Sequence, residues 1–117
     1  GQWVMGKSFV TFAPVGPWLV TADEISDINN LRLWLTVNGK TMQDGNSKNL
    51  IFKIPYLIAY LSEFMTLLPG DIITTGTPAG VGLGQKPAPV YLKPGDVVEL
   101  GIDGLGQAKQ TLVAWSR

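Results

Sequence analysis

The chain has 117 residues, 45% of them hydrophobic and 15% charged, with nine basic against nine acidic side chains and a formal net charge of zero. That length and apolar fraction suit one domain with its own core, and the charge balance excludes the broad basic face that non-specific nucleic-acid binding needs. It has no cysteine and no histidine, which removes disulfide frameworks, thiolate zinc sites, Ser-His-Asp and Cys-His nucleophiles and imidazole bases, so any acid or base is Asp, Glu, Lys, Tyr or a metal-bound water.

No signal-peptide pattern opens the chain and it lacks an initiator Met, so Gly1 reads as a fragment boundary. Residues 1–8 formally match the phosphate-loop pattern G-x-x-x-x-G-K-[ST]. The match is rejected: no strand precedes it, Trp3-Val4-Met5 is bulky filling for a nest of amides, and residues 9–14 read as extended rather than helical. Lys7, between Gly6 and Ser8 and ahead of Phe9 and Phe12, has two readings: a partly desolvated lysine, or a surface lysine laying its stem on apolar neighbours. Thr21-Ala22-Asp23-Glu24 has capping-box spacing and predicts a short helical turn. Leu31-Arg32-Leu33-Trp34-Leu35-Thr36-Val37 alternates apolar and polar up to Asn38-Gly39, a two-residue turn that predicts a hairpin returning through Thr41 to Asp44.

Leu57, Ile58, Leu61, Phe64, Met65 and Leu68 recur at spacings of three and four after Pro55, predicting a buried helix that ends at Pro69-Gly70. The apolar run over 54–68 is interrupted by Ser62 and Glu63 and is shorter than the roughly 20 residues of a bilayer span, so no membrane partner is expected. Pro69-Gly70-Asp71 and Pro94-Gly95-Asp96 each predict a turn feeding a β-branched strand, over 72–75 and 97–102, as shared turn chemistry rather than a repeat. A last hairpin turns through 103–106 and returns to Ala114. The loop Gly76-Thr77-Pro78-Ala79-Gly80-Val81-Gly82-Leu83-Gly84 lets backbone amides and a hydroxyl approach an anion. It lacks the dinucleotide spacing G-x-G-x-x-G. On composition it is equally a mobile glycine connection, and Thr77 tilts the reading towards a ligand. The carboxylates lie mostly in turns and caps, and Trp3, Trp18, Trp34 and Trp115 read as core or interface.

Gly6-Lys7-Ser8-Phe9 with Thr11-Phe12-Ala13-Pro14 and Gly16-Pro17, then Val37-Asn38-Gly39, the helix, Pro69-Gly70-Asp71 and Thr75-Gly76-Thr77-Pro78-Ala79-Gly80-Val81-Gly82 occur in one order. Together they closely resemble the C-terminal half of the fumarylacetoacetate hydrolase family, along nearly the whole chain. The resemblance implies an α+β fold, mainly β with one main helix, a mixed β-sandwich roll truncated on its N-terminal side, with residues 1–117 a single partial domain. It implies a cytoplasmic homodimer acting on a small 2-oxo acid, an acylpyruvate, oxaloacetate-like acid or unsaturated dioate of aromatic catabolism. The activity would be that of a hydrolase, lyase or isomerase, with Mg²⁺ or Mn²⁺ stabilising an enolate.

Carried over by position, Lys7 is the catalytic cation, Thr77 and Gly76 bind substrate, and Thr11 stands in the metal's outer shell. The first-shell carboxylates of the family, an E-x-E pair and an Asn-Asp aspartate, belong upstream of Gly6-Lys7-Ser8-Phe9 and so outside this chain. Val10 stands where the family commonly has Asp, which alters the polar surroundings of Lys7. The competing expectation is an inactive, truncated β-roll that binds a partner chain or a small anion.

Overall fold

In the computed structural model, which describes residues 3–116, the sheet is organised by the Asn38-Gly39 turn. Both residues take positive φ, 50° and 78°, as a two-residue hairpin between right-twisted strands requires. The turn joins β1 (Arg32–Val37) to β2 (Lys40–Asn46). β3 (Val97–Ile102) pairs with the other side of β1, and β4 (Gly106–Thr111) pairs with β3, giving an antiparallel sheet of order β2-β1-β3-β4. This four-stranded sheet with one main helix is the mainly-β, α+β class expected. The last hairpin strand ends at Thr111, short of Ala114.

Register assigns the faces. Leu33, Leu35 and Val37 stand opposite Ile102, Leu100 and Val98, so these six share one apolar face. Trp34 and Glu99 lie on the other, where Lys109 Nζ is 3.0 Å from Glu99 and Arg32 grips both oxygens of Asp44 at 2.8 and 3.0 Å. A bulge at Met42 shifts the β1–β2 register, so that Leu35 faces Gln43 while Thr36 faces Thr41. An unbroken hairpin would set Gln43 beside Trp34, whereas the extra residue carries it to the apolar face. Two pieces of chain cover parts of that face. Pro78 sits on Gly45, where a Cβ would lie 2.7 Å from the proline ring, and the Trp18 indole lies against Gly106 while its Nε1 donates to Leu105 O at 3.0 Å. The rest is only half-buried, and Val98 is the one apolar residue buried among those described.

The main helix departs from expectation. Labelled α2, with the five-residue Trp3–Lys7 as α1, it spans Ile54–Ser62 rather than reaching Pro69. Phe64 N and Met65 N still bond Leu61 O at 3.1 Å as a tightened last turn. Beyond it the chain is non-helical up to Pro69, whose ring disfavours helical backbone at Leu68. Nor is the helix buried. Leu57 and Leu61 are half-buried, Ile58, Phe64, Met65 and Leu68 are exposed, and no residue of α2 is buried, because the helix makes at most slight contact with the sheet. On its open side Phe52, Tyr56, Tyr60 and Phe64 form a ladder with successive ring centroids 5.1, 6.2 and 5.0 Å apart.

The two Pro-Gly-Asp turns share one construction. Gly70 and Gly95 have φ of 96° and 92°, each Asp N–H bonds the carbonyl three residues back at 3.1 Å, and each carboxylate accepts that residue's N–H at 2.8 or 2.9 Å. Only the second delivers a paired strand. Residues 72–75, expected as a strand, have no ladder partner among the described residues. Residues 9–14 form a turn rather than an extended segment: Phe12 N bonds Phe9 O at 3.1 Å, Thr11 takes φ 73°, and the Phe9 and Phe12 rings meet at 5.3 Å. The Thr21 signal yields one 3₁₀ turn, Ala22–Glu24, with Thr21 Oγ1 donating to Glu24 at 3.2 Å. Trp3, Trp18 and Trp115 are exposed rather than core. Gly1, the expected fragment boundary, and Gln2 of the rejected phosphate loop lie outside the described residues.

Candidate functional site

The best-built polar cluster stands where the glycine loop crosses β2. Gln43 Nε2 donates to Thr77 Oγ1 at 2.8 Å and to Pro78 O at 2.7 Å. Two residues on, Gly80 (φ +110°) presses so closely on the Met42 carbonyl that a Cβ there would overlap it, and Gly80 O accepts from Gln85 Nε2 at 2.9 Å. The loop then closes on a 3₁₀ turn, Gly82–Gly84, with Val90 N bonded to Gly82 O at 2.9 Å. It is therefore anchored at four points to the sheet and to itself, and not a free connection. Thr77 remains exposed, and Gly76 beside it (φ +99°) has open space around its α-carbon.

Lys7 is the last residue of α1 and exposed, so the partly desolvated setting entertained for it is not found. Thr11 lies four residues on, in left-handed backbone that a β-branched residue seldom adopts. Among the described residues no hydrogen bond or ion pair joins Lys7 or Thr11 to Thr77, whereas Gln43, which sequence reasoning did not single out, is joined to it directly. The signal for Gln43 was the register shift at Met42, which local pattern does not reveal.

Five of the carboxylates are committed locally. Asp44 pairs with Arg32, Glu99 with Lys109, Asp27 accepts from Asn29 N at 2.9 Å, and Asp71 and Asp96 close their turns. Asp96 also accepts from Asn38 Nδ2 at 3.0 Å, while Asn38 Oδ1 accepts from Val97 N at 2.8 Å, clasping two turns together. Among the described residues no three His, Cys, Asp or Glu side chains gather to hold a metal ion, so the donor set present does not fit a divalent cation. A shallow depression lined by Trp34, Glu99, Gln107, Ala108 and Lys109 lies away from the loop. No described helix is long and apolar enough to cross a membrane.

The pattern of the fumarylacetoacetate (FAA) hydrolase C-terminal family matches residues 1–113, which contain the glycine loop, the hairpin it docks on, the helix and both Pro-Gly-Asp turns. The chain belongs to that family. A relative from Burkholderia multivorans, whose own name calls it a hydrolase only provisionally, is 61% identical over 110 residues, 94% of this chain. The chain spans about 39% of the length of the curated relatives it matches. Among solved structures, the fumarylacetoacetate hydrolase of Exiguobacterium antarcticum is 41% identical with a TM-score of 0.90, over 95% of this chain and 39% of that one. Maleylpyruvate hydrolase of Sphingobium sp. SYK-6 is 43% identical with a TM-score of 0.85, over 97% and 40%. Its complex with manganese(II) and pyruvate gives 45% and 0.78, over 88% and 36%. The 2-hydroxyhepta-2,4-diene-1,7-dioate isomerase of Mycobacterium marinum is 40% identical with a TM-score of 0.82, over 96% and 40%.

Proposed function

We propose that this chain is part of a hydrolase or isomerase of small 2-oxo acids, acylpyruvates or unsaturated dioates, and that it supplies the carboxylate-binding side of the site. The observation that carries this reading is the likeness, over nearly the whole chain, to a maleylpyruvate hydrolase and a dioate isomerase. Both names imply substrates with a 2-oxo or enol carboxylate, and an enolate is the shared way through hydrolysis, decarboxylation and isomerisation of such acids. Within this chain the Thr77 hydroxyl and the exposed Gly76 backbone bind a substrate oxygen. The exposed Lys7 ammonium offsets the negative charge that develops next to it. Mg²⁺ or Mn²⁺, a homodimer and a cytoplasmic setting belong to the same proposal. The described residues form no donor set for the cation, so no step is assigned to it.

Titration calorimetry with oxalate, an enolate mimic, and no added metal tests the reading of this chain as the carboxylate-binding side. Saturable, oxalate-dependent heat that weakens at least tenfold in Thr77→Val is the expected result. Absence of heat in the parent chain sinks it and leaves the second reading, a non-catalytic roll that works against a partner chain. Open surface accompanies either reading: the accessible surface is 9671 Å², against about 6,200 Å² for a folded monomer of this mass.

A further inference from the structure

The hydrogen bonds around Gln43 constrain the polarity of Thr77. An Asn or Gln amide is ordinarily ambiguous, because its oxygen and nitrogen scatter alike. Here Pro78 O, 2.7 Å from the Gln43 amide terminus, is a carbonyl and can only accept, so the atom facing it is the NH₂ group. The same nitrogen lies 2.8 Å from Thr77 Oγ1. With one N–H on each oxygen, the Thr77 hydroxyl is held as an acceptor towards the sheet. Its own proton is therefore not spent on Gln43.

We propose that Gln43 is a positioning residue that leaves the Thr77 proton free for the ligand, so that the site favours acceptor oxygens, a carboxylate or a keto oxygen. Gln43 occupies one lone pair of Thr77, so the hydroxyl meets a ligand with its proton and the one lone pair that remains. Two further contacts keep the arrangement from relaxing. Pro78 rests on Gly45 and Gly80 on the Met42 carbonyl, so the loop cannot lift without breaking its packing on β2. The bulge at Met42 brings Gln43 to the face where the loop lies. The selection of a carboxylate ligand rests on the function proposed above; the donor polarity of Thr77 rests on geometry alone.

The experiment uses the full chain and two readouts. In proton–nitrogen spectra the two Gln43 side-chain protons are expected to be well separated and shifted downfield, and one of them moves back in Thr77→Val. Titration with oxalate is expected to shift the Thr77 resonances. Gln43→Met, which removes both N–H donors without adding charge and so frees the Thr77 hydroxyl to rotate, is expected to weaken that response severalfold, with the remaining spectrum preserved. Gln43 protons indifferent to Thr77→Val overturn the proposal whatever oxalate does, as does unchanged oxalate binding by a folded Gln43→Met chain. Gln43 protons that do respond, in a parent chain that ignores oxalate, support the polarity assignment and overturn instead the carboxylate-binding role.

Discussion

Asp96 sits where ionisation is favoured: the Asn38 side-chain amide first, and then the Lys93 backbone N–H, hold its carboxyl below the usual 3.8. A carboxyl depressed in the folded state stabilises that state at pH above its unfolded value, and this stabilisation drains away as pH falls through the folded value. The urea midpoint of the parent chain is therefore expected to exceed that of Asp96→Asn at pH 7, and the gap to narrow progressively below pH 3.8, followed by circular dichroism. A gap that is constant down to pH 2 contradicts this. At this scale sequence gave uneven access. Gly76 and Thr77 were legible as a loop that can approach a ligand, because glycine and hydroxyl chemistry is local. Gln43 was not, because its partnership with Thr77 spans 34 positions and depends on a bulge that no local pattern announces.

The elements that sequence predicts well are those whose geometry is dictated by one or two residues. Asn38-Gly39 forces a tight hairpin, and Pro-Gly-Asp forces a turn with glycine in left-handed backbone. Gly39→Ala, at φ 78°, is expected to cost about 1–2 kcal/mol through that conformation alone, measured as a lowered denaturation midpoint with an unchanged fold. No loss there would mean the hairpin tolerates another turn type. Elements whose extent depends on distant packing were less legible. The apolar period continues past Ser62 to Leu68, yet α2 stops at Ser62, because a periodic pattern records which residues seek burial and not whether a surface is there to bury them. The same holds for residues 72–75, β-branched and strand-like but without a ladder partner among the described residues.

The molecule as a whole is under-buried. Its radius of gyration is 15.8 Å, against about 13 Å for a compact chain of this length, and its surface exceeds the monomer expectation by ~3,500 Å². Much of the excess is apolar: the ladder of Phe52, Tyr56, Tyr60 and Phe64 is 49–68% exposed. Alone in solution the chain is expected to bind a hydrophobic dye and to sediment heavier than 12.6 kDa. A monodisperse monomer that leaves the dye dark would show that the open faces close on themselves. The strand order has a further consequence, in time rather than space. β1 and β2 are neighbours in sequence, but β1 finds its other partner only in β3, about fifty residues after β2 ends. At a ribosome adding roughly 5–20 residues per second, the finished first hairpin waits several seconds with its inner edge unpaired. During that interval the edge is open to pairing with another chain.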